Sequence, residues 1–114
     1  MMRSILALSV TALAFGGAAS AAPSASKAVT VDVTAKDFSF VLSTKTVKPG
    51  RVTFVIRNTG AADHDFVIAG HSSTTIGHGK TTRLEVTLRA GRYPYKCSVD
   101  SHARLGMKGV LRVT

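Results

Sequence analysis

Three side chains of uncommon chemistry recur at even spacing near the end of the chain. They are Cys97, His102 and Met107, in the run Cys97-Ser98-Val99-Asp100-Ser101-His102-Ala103-Arg104-Leu105-Gly106-Met107. Four residues separate each from the next, so one short loop can fold a thiol, an imidazole and a thioether around a single point. His64 offers a second imidazole upstream. Thiolate and thioether are soft donors that favour Cu(I), and imidazole suits both copper oxidation states. A trigonal His₂Cys set with a long axial Met is a compromise between the two, so charge can change with little rearrangement. Zinc also takes cysteine and histidine, but methionine argues for a softer metal. The donor set therefore predicts one type 1 copper ion held by His64, Cys97, His102 and Met107.

Each of these residues has a plainer fate to weigh. Free cysteine is often a small buried hydrophobe, and methionine is more commonly core than ligand. Cys97 is the only cysteine. In an exported protein a cysteine without a partner is inert, bonded to another molecule, or a ligand or nucleophile. Its three neighbours favour ligation. His71 and His78 compete with His64, but both sit in Gly/Ser/Thr-rich turns, and neither precedes an apolar strand as His64 does. They read as solvated turn residues.

The elements that would position the ligands are short strands. Val29, Val31 and Val33 alternate with Thr30, Asp32 and Thr34, the pattern of a half-buried strand. Phe38 to Leu42 follows, with Thr46-Val47 as an extension, then the Pro49-Gly50 turn. Arg51 to Arg57 puts Val52, Phe54 and Ile56 on one face, and Asn58-Thr59-Gly60 ends it. His64 to Ala69, Lys80 to Leu88, Arg92 to Cys97 and Met107 to Val113 complete the set. No segment after the N-terminal region has helical periodicity. About seven to eight strands at this spacing predict an all-β domain, a Greek-key β-sandwich of two packed antiparallel sheets.

Strand parity then places the ligands. Alternate side chains share a face. Tyr93 and Tyr95 therefore share a face with Cys97, while Gly109, Leu111 and Val113 share one with Met107. Phe66 and Ile68 share a face with His64. Each ligand sits at the end of its strand on the inward side, and antiparallel neighbours bring them to one rim.

The N-terminus reads as an export signal. Arg3 gives a positive start, Ile5 to Phe15 is apolar, and Gly16 to Ala22 is rich in small residues. Ala19-Ser20-Ala21 fits the cleavage rule. Domain boundaries follow as a signal peptide at 1–21, a flexible linker at 22–28 and the folded domain at 29–114. The apolar run falls short of the roughly 20 residues a spanning helix needs, so no stable membrane anchor is expected after cleavage. The 15 basic residues outnumber the 6 acidic ones, giving a formal charge of +9. Such a charge speeds encounter with acidic partners. Nucleic acid is not expected, because no basic cluster is interleaved with aromatics.

The stretch Tyr95 to His102 with Gly106-Met107-Lys108-Gly109-Val110-Leu111-Arg112-Val113 resembles the C-terminal copper loop of cupredoxins, the plastocyanin and azurin superfamily. Asn58-Thr59-Gly60 with His64-Asp65-Phe66-Val67-Ile68 resembles the upstream histidine segment of that family. The likeness runs from about Val29 to Thr114. It implies a cupredoxin-like sandwich, a blue copper site, and single-electron transport in the periplasm or outside the cell. It also implies redox partners, here with acidic docking surfaces, and an electron port at the edge of His102, near Ala103, Leu105 and Gly106. Two departures stand out. Asp100-Ser101 replaces the common Pro-Gly, and Asp100 could pair with Arg104. Asp65 replaces the common asparagine, and could accept a bond from the Ser98 N–H or hydroxyl. The competing reading is a periplasmic copper-binding protein for delivery, storage or resistance, which would need an open site and favours extra Met/His-rich tracts; none is present. No enzyme is expected, since the chain has no Ser/His/Asp or paired-carboxylate arrangement. A monomer is the default.

Overall fold

The computed structural model describes residues 28–114. The expected signal peptide and nearly all of the linker lie outside them. Nine strands form two sheets: β1 (Val29–Lys36), β2 (Ser39–Leu42), β3 (Thr46–Val47), β4 (Gly50–Asn58), β5 (Val67–Ile68), β6 (His71–Ser72), β7 (Thr81–Leu88), β8 (Gly91–Lys96) and β9 (Lys108–Val113). One sheet has the order β2-β1-β4-β7, and the other β3-β9-β8-β5-β6.

The alternation along each strand decides which residues meet between the sheets. Val31, Val33 and Ala35 of β1 are buried, as are Val52, Phe54 and Ile56 of β4. Facing them are Ile68, Tyr95, Leu111 and Val113. Phe66 is central: its ring lies 5.0 Å from Phe54, 5.3 Å from Phe40 and 5.3 Å from Tyr95, centroid to centroid. Aromatic contacts at these separations add to simple burial.

The sheets are mixed rather than purely antiparallel. β1 and β4 pair in parallel, as do β3 and β9. The cause is a crossover. After β1 the chain turns back as β2 on the outer edge, visits the second sheet as β3, and returns as β4 on the other side of β1.

The strand expected over His64 to Ala69 is mostly absent. His64 makes an isolated bridge with Ile76, and the ladder resumes only at Val67. Between them, the Phe66 N–H donates to Ser73 Oγ at 2.9 Å, outside any ladder. His71, expected in a turn, stands in β6 opposite Ile68 and is exposed. The turn itself is Ala69-Gly70, both at positive φ, which is the hairpin chemistry that places φ > 0 at both central residues. One turn of 3-10 helix, His102–Leu105, lies in the segment joining β8 to β9.

Candidate metal centre

Cys97 directly follows β8 and is 1% exposed. Met107 directly precedes β9 and is fully buried. Their backbones extend the β8–β9 ladder, with the Cys97 N–H donating to the Met107 carbonyl at 3.0 Å. The segment between them is therefore pinched shut at its neck. Within it, the His102 N–H donates to the Val99 carbonyl at 3.1 Å, and the Met107 N–H returns to the His102 carbonyl at 3.2 Å. Gly106, at φ 108°, closes the 3-10 turn in a left-handed conformation that favours glycine. These bonds aim His102 inward. Gly109 has a separate reason to be glycine: a Cβ there would sit 2.3 Å from the Tyr95 hydroxyl, which lies across β9.

His64 comes from the other side. Its N–H donates to the Ile76 carbonyl at 3.0 Å, and its carbonyl accepts the Ile76 N–H at 2.8 Å. Asn58, fully buried, braces the loop before it. Asn58 Nδ2 donates to the Ala62 and Ile76 carbonyls, and Oδ1 accepts the Gly60 N–H, each at 2.8 Å. Asp65 ties the two ligand segments together. It accepts the Ser98 N–H at 2.6 Å and also the Ser98 hydroxyl, the contact expected of a carboxylate at this position. Asp100 does not pair with Arg104; among the described residues the one pairing of a carboxylate with an arginine or lysine is Arg51–Glu85.

The ligand atoms converge. His64 Nδ1 and His102 Nδ1 are 3.2 Å apart, and Cys97 Sγ lies 3.9 Å and 3.6 Å from them. A point equidistant from all three lies about 2.1 Å from each, as the three sides of that triangle require. Metal–imidazole and metal–thiolate bonds run about 2.0–2.3 Å, by the example of zinc. All three residues are buried. Met107 is buried at the end of the same segment, its N–H bonded to the His102 carbonyl. His71 and His78 lie outside the cluster, and His78 Nδ1 is bonded to the Gly60 carbonyl at 2.8 Å.

Two residues at the site carried no signal in the sequence. Asp37 and Phe38 form the turn between β1 and β2. The Phe38 ring lies 4.6 Å from His102 and 6.1 Å from His64, and so covers both imidazoles. Asp37 Oδ1 is 2.7 Å from His64 Nε2. The Ala61 N–H, bonded to Asp37, does most to hold its carboxyl below the ordinary range. A carboxylate accepts, so this contact favours the His64 tautomer with its proton on Nε2 and the Nδ1 lone pair facing the cluster. Burial pushes the Cys97 thiol above its ordinary value, and the Asp65 and Val99 N–H groups offset part of that. A metal that binds there displaces a proton.

Two nitrogens and one soft sulfur, dry and pre-gathered at the rim of a small sandwich, define a single copper site. The comparisons with known proteins agree. Residues 5–113 match the family model of the cupredoxin-like domain, and the chain belongs to that family. Among curated proteins no match reaches significance. Solved structures with a similar fold include the dithionite-reduced auracyanin of the photosynthetic bacterium Roseiflexus castenholzii, 22% identical with a TM-score of 0.66, covering 76% of this chain and 98% of that one. Auracyanin B is 19% identical with a TM-score of 0.69, covering 76% and 89%. Auracyanin A, described as a blue copper protein of the green thermophilic photosynthetic bacterium Chloroflexus aurantiacus, is 22% identical with a TM-score of 0.65, covering 75% and 98%. At these identities the likeness is one of fold.

Proposed function

We propose that this chain is an exported type 1 copper protein that carries single electrons between redox partners. The observation that carries this reading is the buried triangle of His64 Nδ1, Cys97 Sγ and His102 Nδ1. Those three residues would hold the copper ion, and Met107 would add a weak thioether donor. Copper supplies the Cu(II)/Cu(I) couple when bound. The protein holds the donors still through Asn58, Asp65 and the neck of the loop, and Phe38 covers the histidines. A fixed cluster keeps reorganisation small, the requirement for fast electron transfer. The auracyanin A name supports a blue copper reading for the fold.

The surface reading follows from charge and exposure. His102 is 7% exposed, and Leu105 beside it is 61% exposed. This apolar edge, with exposed Arg104 at its border, is the electron port, and it suits a partner with an acidic docking face. Export is supported by the N-terminal charged, apolar and small-residue order, with cleavage after Ala21. No described helix is long and apolar enough to cross a membrane. Burial of the ligands opposes the labile exchange that copper delivery would need. No catalytic role is assigned.

The test is a visible absorption spectrum of Cu(II)-loaded protein, with Cys97→Ala and Met107→Leu alongside. An intense thiolate-to-copper band, lost in Cys97→Ala and shifted in Met107→Leu, is the expected result. Only the faint band of ordinary Cu(II) ligation would overturn the proposal and turn attention to trafficking or another metal.

A further inference from the structure

A carboxylate stands against the far side of one proposed ligand, and the fold takes trouble to put it there. Asp37 Oδ1 is 2.7 Å from His64 Nε2. The Ala61 N–H donates to Asp37 Oδ2 at 2.8 Å, and the Ala62 N–H to Oδ1 at 3.2 Å. The carboxylate also lies flat on Gly60. A Cβ on Gly60 would come within 2.2 Å of Oδ1 and 2.8 Å of Cγ. Asn58 Oδ1 in turn holds the Gly60 N–H. Asp37 reaches His64 across 27 positions of sequence. The contact exists because the β1–β2 turn and the Asn58-Thr59-Gly60 turn meet at the cluster. Closing a β-hairpin asks for none of this.

We propose that Asp37 is a positioning and tuning residue for the metal centre, which makes Nδ1 the ligating nitrogen of His64 and favours the more highly charged copper ion. The inference rests on the copper reading above and names the residue that sets its redox balance. Two physical effects are involved. An imidazole that donates Nε2–H to a carboxylate is locked in one tautomer and one ring orientation. The same carboxylate makes the ring more basic and places negative charge one ring away from the ion. Both effects favour Cu(II) over Cu(I).

Asp37→Asn removes the charge and keeps one oxygen to accept from Nε2 and the Ala62 N–H, giving up only the Ala61 N–H bond to Oδ2. Asp37→Ala removes both, and Gly60→Ala displaces the carboxylate with Asp37 intact. Three readouts apply: the reduction potential of the copper-loaded protein, the ¹⁵N tautomer signature of His64 in metal-free protein, and Zn(II) affinity. In the wild type, His64 is expected as the Nε2–H tautomer. Asp37→Asn keeps that tautomer and shifts the Cu(II)/Cu(I) affinity ratio about tenfold toward Cu(I), which for one electron raises the potential by about 59 mV. Asp37→Ala and Gly60→Ala mix the tautomers and weaken Zn(II) binding by about 10–100-fold, the usual cost of losing such a partner.

An Nδ1–H tautomer in the wild type would overturn the proposal. So would a potential in Asp37→Asn equal to that of the wild type. A copper-loaded wild type with no one-electron couple would instead sink the electron-transfer reading. The tautomer and Zn(II) affinity would still decide the role of Asp37. Melting of each metal-free variant shows whether the fold itself was lost.

Discussion

Replacing Asn58 with alanine should cost this domain about 3 kcal/mol, because its side chain makes three hydrogen bonds at about 1 kcal/mol net each. The bonds go to Ala62, Ile76 and Gly60, all at 2.8 Å, from a fully buried side chain. What is left behind sets the figure. The Ile76 carbonyl keeps the His64 N–H at 3.0 Å, so it is not orphaned. Gly60 and Ala62 are half-buried, and water can reach them. The loss is therefore the bonds themselves and not a full set of stranded polar groups. For a domain of 60–100 residues each kcal/mol moves the midpoint by about 4–8 °C, so Asn58→Ala should melt about 12–24 °C lower. Asn58→Asp should be worse still, because a carboxylate oxygen would face the Ala62 and Ile76 carbonyls. The assay is thermal unfolding of the metal-free protein by circular dichroism, with calorimetry to test that the transition is two-state. A loss below about 1 kcal/mol, less than the three bonds warrant, would refute the idea that Asn58 is the brace of the His64 loop.

Two further outcomes follow from Tyr95. Gly109→Ala should destabilise by about 1–3 kcal/mol, the usual cost of overpacking, because the new Cβ would strike the Tyr95 ring and hydroxyl; an unchanged urea midpoint would show that Tyr95 moves freely. Burial raises the Tyr95 phenol above its ordinary value of 10.0. A raised folded value means that its contribution is fully present below about pH 10 and is lost as pH rises through the folded value. Unfolding followed against alkaline pH should show that decline in the wild type and a smaller one in Tyr95→Phe. Equal slopes would refute it.

The sequence carried the parts of this structure that repeat locally. Val52, Phe54 and Ile56 alternate along β4, and all three are fully buried. Cys97 and His102 were legible for a similar reason, since their chemistry and spacing lie in one loop. What escaped notice depends on contacts distant in the chain. Asp37 reads as an ordinary turn acid, and only the meeting of two turns brings it to His64. The parallel pairing of β1 with β4 likewise follows from a crossover through the second sheet, which no local pattern records. His64 looked like the first residue of a strand because apolar residues follow it. Its neighbours bond elsewhere, Asp65 to Ser98 and Phe66 to Ser73, so the ladder waits until Val67.

Three of the four proposed ligands lie within one eleven-residue stretch, while His64 stands 38 positions before His102. That division has a consequence for how the molecule acquires its shape. In a denatured chain Cys97, His102 and Met107 stay within reach of one another, and a loop of ten residues closes in about 10–100 ns. A metal ion held by those three residues alone would then bind the unfolded polypeptide as well. Because the ion then binds both states, it stabilises the native one by less than its full affinity would give. Refolding from that loaded chain has one long-range event left to complete at the metal, the arrival of His64. The three clustered residues are thus the local part of the site, and His64 is the long-range contact that completes it.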